Sequence, residues 1–248
     1  MKKIIISTLV LISVVGLYAN NLFTVTNPTA GILSRGEARI HLKNYKNNGL
    51  AFGADVGLLD NLHFGLGYGA EHMVGDQKPR WRGLPDANVR FRIINETLEF
   101  PAIAIGVDIN GHGTYNKVHR RYDIKSKGAY LVGSKNFTFL GLMGFDFGAN
   151  YTFEQINYDK KFDIFTGMYK TIGDDVIVFA DYSFGLNDYE KGNPTGLTGR
   201  GRGYLNTAVQ LRLSDNLSIK FLMHDMLLNR EETKMFDRAL ILDYRWFF

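Results

Sequence analysis

The residues of this chain best suited to chemistry are charged side chains that alternate with apolar ones. Four of them are arginines: Arg39, Arg90, Arg92 and Arg212. A guanidinium is a planar fork that matches a carboxylate, so arginines on one inner face predict a basic track for an acidic oligosaccharide or polysaccharide. The same faces carry further charges of both signs: Asp108, Asp146, Asp243 and Arg245. Ion pairs that solvate an interior are therefore the alternative interpretation, and both stay open.

Patterns for catalysis and metal binding are weak in this sequence. None of the six histidines is followed two positions later by Ser, no Gly-x-Ser-x-Gly occurs, and there is no Cys to form a thiolate site. His112 and His119 stand too far apart in one loop to suggest a metal site. We therefore expect no enzymatic activity, no metal and no cofactor.

The elements that must position the charged side chains are strands, as the stretch from Asp237 to Phe248 indicates. Its apolar face comprises Leu240, Leu242, Tyr244, Trp246 and Phe248. A period of two is typical of a strand, and an apolar face that becomes aromatic is typical of a strand facing lipid. The pattern resembles the C-terminal signal of bacterial outer-membrane β-barrels. That resemblance implies that Tyr244, Trp246 and Phe248 are read by the barrel-assembly machinery.

Alternation of apolar residues with small or polar ones recurs along the whole chain. Leu50, Phe52 and Ala54, for instance, oppose Gly53 and Asp55. Tight turns alternate with longer loops, and the turns lie near Asp60, Asn95, Asn136, Asp174 and Asp215. Short turns at one end and long loops at the other are typical of barrels that span an outer membrane. We therefore predict an all-β fold, a transmembrane antiparallel up-and-down β-barrel of about 12 strands.

The start of the chain predicts export. Met1-Lys2-Lys3 is basic, the stretch from Ile4 to Val15 is apolar, and a cleavage-site pattern ends at Ala19. We expect a signal peptide at 1–19, a barrel domain at 20–248 and a location in the outer membrane of a Gram-negative-type bacterium. The net charge of +4 includes two positive charges in the signal peptide. A mature chain so close to neutral argues against a nucleic-acid partner.

Two long loops are basic and are predicted to face outward. Their cationic residues are Lys117, His119, Arg120, Arg121, Arg200 and Arg202. Such side chains could bind the phosphates of lipopolysaccharide or a polyanionic glycan, because charged donors bind these oxyanions strongly. Loops that are merely solvated explain the same residues equally well. The expected partners are outer-membrane lipid and lipopolysaccharide.

One hairpin is similar to a known family. The stretch from Phe100 to Asp108 has a Pro-Ala-(apolar)-Ala-(apolar)-Gly pattern, and a second stretch from Tyr130 ends in Ser134-Lys135. Together they resemble a segment of YjbH-type outer-membrane proteins, which are associated with exopolysaccharide production. The resemblance implies a barrel hairpin and a link to surface polysaccharide. Pro101 cannot donate to a strand ladder, so it predicts a bulge or the start of a strand.

These observations favour a pore or envelope protein over an enzyme. The first hypothesis is a narrow outer-membrane pore linked to surface polysaccharide. The second is a closed structural or assembly barrel that binds a partner or lipopolysaccharide through its loops. A lipid-modifying enzyme is the least favoured of the three.

Overall fold

The computed structural model describes residues 21–154, 161–188, 199–231 and 233–248, in which the regular elements are strands. Their bounds are β1 Glu37–Tyr45, β2 Gly49–Leu59, β3 Leu62–Glu71, β4 Arg80–Trp81, β5 Asp86–Ile94, β6 Ala102–Asp108, β7 His112–Asn116, β8 Arg121–Ile124, β9 Gly128–Thr138, β10 Leu142–Tyr151, β11 Asp163–Ile172, β12 Val176–Ser183, β13 Tyr204–Arg212, β14 Leu217–His224 and β15 Asp237–Phe247. Across these ranges no helix is long and apolar enough to cross a membrane. The predicted signal peptide lies outside the described residues.

Twelve antiparallel strands close into a barrel. β1 pairs with both β2 and β15, and β2 pairs with β3. The ring then continues through β5, β6 and β9 to β14, which pairs with β15. β4 is a short addition to β3, and β7 pairs only with β8 within the described chain. The predicted all-β barrel of about 12 strands is therefore confirmed.

Alternation decides which side chains enter the barrel. On β2, Phe52 is 56% exposed on the outer surface, whereas Asp55 is 3% exposed on the inner one. The outer face of the barrel carries large apolar residues on every side, among them Leu66, Val89, Ile105, Leu131, Phe147, Met168, Val209, Phe221 and Leu242. Successive side chains of a strand point to opposite faces, so the polar residues between them fill the interior.

The connections largely segregate by length. Short turns follow β2, β9, β11 and β13, and the long connections follow β3, β6, β10, β12 and β14. The connection after β5, predicted as a tight turn near Asn95, spans the seven residues 95–101, and the connection after β1 at the loop end spans only 46–48. The predicted strand start at Pro101 is confirmed, because β6 begins at Ala102. The turn predicted at Asn136 lies further along, because β9 continues to Thr138. We call the two ends of the barrel the turn end and the loop end.

The segment before β1 lies inside the barrel, which the sequence did not indicate. Residues 21–34, named the plug from here on, include several Asn and Thr residues and are nevertheless mostly buried. The plug is a small hairpin in which Phe23 bridges to Pro28, and the Thr24 backbone nitrogen donates to the Asn27 carbonyl oxygen at 3.0 Å. Its tip touches inward residues of β12 and β13, and its second arm leads to β1 at the turn end.

The loop after β6 also folds into the barrel. Its two strands, β7 and β8, form a hairpin at residues 112–124, named the cap. The Tyr122 hydroxyl donates to Asp86 of β5 at 2.8 Å, and Lys127, just beyond the cap, donates to the Ser183 hydroxyl of β12 at 2.7 Å. The cap therefore lies across the loop end, while the plug occupies the interior beneath it.

Candidate functional site

The tip of the plug is held by Asp181, an inward residue of β12. The backbone nitrogens of Val25, Thr26 and Asn27 donate to one carboxylate oxygen of Asp181 at 2.9, 2.6 and 2.9 Å. Asn206 donates to the other oxygen at 2.7 Å. Three successive N–H groups in a tight turn form a concave anion site, and here the barrel itself supplies the anion. Asp181 is 2% exposed, so these bonds form away from solvent.

Three further strands hold the body of the plug. The Ala30 nitrogen donates to the Ser134 hydroxyl at 2.7 Å, and the Arg90 guanidinium donates to the Gly31 carbonyl oxygen at 2.5 Å. Lys220 of β14 donates to the carbonyl oxygens of Phe23 and Thr24. The plug is thus bound through its backbone groups by side chains from β5, β9, β12 and β14, and Asn206 of β13 donates to the Thr26 hydroxyl at 3.1 Å.

A cavity of about 110 Å³ lies between the plug, the cap and the inner faces of the neighbouring strands. Its charged lining consists of five basic residues and four acidic ones, namely Arg39, Lys43, Arg82, Lys220 and Arg245 with Asp55, Asp86, Asp108 and Asp243. A water occupies roughly 10–15 Å³ on this measure, so the cavity has room for several waters or one small polar solute.

Most of the charges around the cavity are already paired. Arg39 donates to Asp55 at 2.9 Å and to Asp243, and Arg245 lies 3.3 Å from Asp243. Arg82 pairs with Asp86 in the same way. These groups neutralise one another and leave little charge for a ligand.

Two lysines of the cavity stand apart from these pairs. Within the described chain, neither Lys43 nor Lys220 has a carboxylate oxygen within 4.0 Å. The Lys43 ammonium lies 3.0 Å from Nδ1 of His112 in the cap, and the Lys220 ammonium lies 3.7 Å from the centre of the Phe179 ring. Asp108, which accepts from the Asn110 nitrogen at 2.8 Å, is an acid in the lining that is likewise outside the described ion pairs. By formal count, the five basic and four acidic residues of the lining differ by one positive charge.

His112 adds no charge to this balance. Burial first, and the neighbouring Lys43 ammonium second, lower the pKa of His112 well below 6.5. The ring is therefore neutral at pH 7, and its Nδ1 accepts the Lys43 proton. Its ring lies 5.2 Å from the ring of His224 on β14.

The predicted basic track is not present, because its four arginines lie apart. Arg39 is committed to two carboxylates, and Arg90 is fully buried between the Tyr130 hydroxyl, at 2.8 Å, and the plug. Arg92 lies at the turn end of β5, where its donor to the Asp60 carbonyl oxygen is 3.4 Å away. Arg212 lies exposed at the turn end of β13. Alternation predicts which face of a strand these residues occupy, but it does not predict their position along the barrel axis.

The remaining interior residues follow the alternative interpretation, in which charges serve the structure. Asp243 forms ion pairs with both Arg39 and Arg245. Asp146 accepts a hydrogen bond from the Ser134 hydroxyl, which also holds the plug. These side chains stabilise the interior rather than line an open path.

The basic loops divide into exposed and buried members. Lys117 and Arg120 are exposed at the tip of the cap, His119 is half-buried there, and Arg200 and Arg202 are exposed beside the loop before β15. Arg200 and Arg202 donate to the carbonyl oxygens of Glu231 and Leu227 at 2.8 and 3.3 Å. They therefore also tie two loops together.

Arg121 corrects the prediction that its loop faces outward. Its side chain is fully buried and pairs with Asp188 through two bonds of 2.7 and 3.0 Å. Burial alone would lower the pKa of Arg121, but the adjacent carboxylate outweighs it and raises that pKa. Burial alone would raise the pKa of Asp188, and Arg121 instead lowers it. Both groups are charged at neutral pH and join the cap to the loop after β12.

The aromatic end of the chain lies on the outside of the barrel. Tyr244 and Trp246 stack with ring centres 5.9 Å apart, and Phe248 is 79% exposed. The Phe248 nitrogen donates to the Gly36 carbonyl oxygen at 3.0 Å, which joins the two ends of the barrel domain. This position agrees with a lipid-facing rim, and a role as an assembly signal stays a prediction.

Sequence reasoning missed the plug, the cap and the two unpaired lysines as a site. Alternation did assign Lys43 and Lys220 to the inner face, which was a usable signal. Nothing local marked the plug, because its partners Asp181 and Ser134 are more than 100 residues away in the chain.

No family model and no curated protein matches this chain. Among solved structures, the KdgM porin is 10% identical, with 86% of this chain and 99% of that one covered and a TM-score of 0.47. The same porin in complex with disordered oligogalacturonate gives 9% identity, 84% and 98% coverage and a TM-score of 0.49. An outer-membrane channel from Pseudomonas putida F1 is 10% identical, with 88% of this chain and 97% of that one covered and a TM-score of 0.41. At such identities and scores, the barrel is assigned from its own strand pairing.

Proposed function

We propose that this chain is an outer-membrane barrel that takes up small anionic solutes of the acidic-saccharide class through a lumen that its own plug obstructs at rest. The location is supported by the outer surface, where large apolar residues such as Leu131 and Phe147 are 51% and 63% exposed on a closed barrel. A soluble protein rarely exposes so much contiguous apolar surface, whereas lipid is its natural solvent. Cleavage after residue 19 and a barrel domain at 20–248 belong to the same proposal.

The observation that carries the anionic class is the pair of lysines without carboxylate partners. Lys43 and Lys220 face one cavity whose other basic residues are already neutralised. Both lysines are half-buried on the cavity wall, and their ammonium groups are held by neutral acceptors. A solute carboxylate entering the cavity would give them a charged acceptor, which a partly desolvated ammonium prefers.

The rest of the lining suits a hydroxylated solute. Asn88, Asn110, Gln210 and Ser218 contribute amide and hydroxyl groups to the wall. Such groups can donate and accept in place of the water that a sugar loses on entry. The volume suits one sugar residue at a time, which agrees with a narrow pathway.

A closed envelope barrel is the second candidate, and a specific observation favours it. The plug and the cap together fill the interior between the two ends, and both are held by buried bonds. In that case the exposed Lys117, Arg120, Arg200 and Arg202 at the loop end would be the functional groups, with lipopolysaccharide phosphate or a surface glycan as partner. The association with exopolysaccharide that the YjbH-type resemblance implies stays a prediction under either candidate.

A comparison of the binding of a sugar acid with that of its neutral counterpart separates the two candidate functions. Sodium glucuronate and glucose differ at one carbon, so isothermal titration of the refolded barrel with each at fixed ionic strength isolates the carboxylate. We expect glucuronate to bind and glucose not to. Lys43→Met should weaken glucuronate binding about tenfold, the factor that corresponds to about 1.4 kcal/mol. Lys117→Met, on the exposed tip of the cap, is the matched control and should bind normally.

If glucuronate and glucose bind equally well, or if neither binds, the proposal that the solute is anionic would be contradicted. Binding that Lys117→Met weakens and Lys43→Met leaves intact would instead favour the loop-binding envelope barrel.

A further inference from the structure

Lys220 both lines the cavity and binds the plug. Its ammonium lines the cavity, and it donates to the carbonyl oxygens of Phe23 and Thr24 at the base of the tip. Within the described chain it has no carboxylate within 4.0 Å. It is therefore a charged donor held by neutral acceptors, in a place that a solute can reach.

A solute carboxylate would compete with those acceptors. The Lys220 ammonium already makes charge-assisted bonds to these carbonyl oxygens. A carboxylate adds the attraction of a full negative charge, which is larger in a site of low dielectric, so it is preferred to a carbonyl oxygen. The lysine side chain is a flexible four-carbon stem, so its ammonium can move from one acceptor to another without a shift of β14. The plug would then lose two of its bonds and would be held chiefly by Asp181, Ser134 and Arg90.

The plug also forms part of the cavity wall. Asn21, Leu22, Phe23 and Val25 line the space that a solute would enter. A solute larger than the resting cavity must therefore push against the plug while it draws Lys220 away. Charge competition and volume act in the same direction.

We propose that an anionic solute releases the plug by taking the Lys220 ammonium from the carbonyl oxygens of Phe23 and Thr24, so that solute binding and opening are coupled. This inference rests on the proposed function and adds its regulation. Coupling is reciprocal, so the barrel without its plug should also bind the solute more tightly than the intact one.

A single thiol can report the release, because the chain contains no Cys. Val25 is 4% exposed at the tip of the plug, so Val25→Cys should react slowly with a water-soluble maleimide at rest. Saturating sodium glucuronate should accelerate that reaction about tenfold, which corresponds to about 1.4 kcal/mol, and glucose should not. Ile124→Cys in the cap is 5% exposed and serves as the control, because its rate should stay unchanged if the plug alone moves.

The role of Lys220 is tested by adding Lys220→Met to the Val25→Cys chain. This change should raise the resting rate and abolish the response to glucuronate. Lys43 faces the same cavity but, within the described chain, makes its hydrogen bond to His112 and none to the plug. The Lys43→Met variant should therefore require a higher glucuronate concentration and still reach the full increase in maleimide reaction rate. If Lys220→Met does not fold, the response of the Val25→Cys chain alone still decides the coupling.

The outcomes keep this inference separate from the proposed function. Glucuronate that binds by calorimetry but leaves the Val25→Cys rate unchanged would overturn the coupling and leave the anion site standing. A response that survives Lys220→Met would overturn the role of Lys220. Absence of glucuronate binding would overturn the proposed function and this inference with it.

Discussion

The carboxylate of Asp181 lies 2.6 Å from the backbone nitrogen of Thr26, which stands 155 residues earlier in the chain. This contact joins the tip of the plug to the wall of the barrel and is reinforced by the adjacent nitrogens of Val25 and Asn27. The tip of the plug is therefore anchored to the barrel wall by one buried carboxylate.

Removal of that carboxylate should free the plug. Asp181→Ala leaves three backbone N–H groups without their acceptor, and each buried unpaired donor costs about 1–3 kcal/mol. We expect the thiol of Val25→Cys to react at least tenfold faster in the Asp181→Ala chain, as about 1.4 kcal/mol suffices for that factor. Asp174→Asn, an exposed acid in the turn after β11, is the control. An unchanged rate in Asp181→Ala would show that the other contacts hold the plug without it.

Loss of the buried pair in the cap should destabilise the protein more than loss of an exposed charge. Arg121→Met leaves the buried Asp188 with the Lys125 ammonium, at 3.7 Å, as its remaining cation and with the Tyr204 hydroxyl as a donor. We therefore expect a loss of about 3 kcal/mol, at the lower end of the cost of breaking a buried pair. Denaturant unfolding in detergent should show this loss, and Arg120→Met, next to it on the exposed tip of the cap, should be nearly neutral. A loss below about 1 kcal/mol, the value typical of an exposed pair, would contradict the buried geometry.

The same pair predicts a pH dependence. Arg121 lowers the pKa of Asp188 below its ordinary value of 3.8, so the stabilisation is present above pH 3.8 and disappears as the pH falls through the lower, folded value. The difference in melting temperature between the wild type and Asp188→Asn should therefore be constant from about pH 8 to pH 5 and shrink below about pH 4. A difference that already fades near pH 6 would mean that Asp188 is not held by a cation.

How much of this structure could be predicted from the sequence depended on how local the cause was. The pattern of Phe52 against Asp55 repeats every two residues, and its physical basis is the pleat of a single strand. Strand number and loop asymmetry followed from it. Arg121 is buried because it pairs with Asp188, and the plug is buried because Asp181 binds its tip. Both partners are distant in the chain, so no periodic pattern in the sequence indicates either contact. Alternation likewise placed Arg39 and Arg212 inside without revealing that ion pairs engage one and the turn end exposes the other.

The lipid-facing surface can be tested with one substitution on the outer face of a strand. Leu131 is 51% exposed on the outer face of β9, so Leu131→Arg would put a charge into the bilayer core at a cost of about 2–4 kcal/mol. We expect less folded protein in lipid vesicles, measured by heat-modifiable gel mobility. Val118→Arg, which is 84% exposed at the tip of the cap, should fold normally. Equal folding of both variants would contradict a membrane-spanning barrel.

The most direct test of the account is planar-bilayer conductance of the refolded chain from residue 20 to 248, compared with a chain that starts at residue 35 and lacks the plug. We predict small or rare current steps from the first and larger, sustained steps from the second, with sodium glucuronate reducing the current through the second and glucose leaving it unchanged. Insertion of both chains without any steps would contradict the account, because the barrel would then be closed by more than its plug.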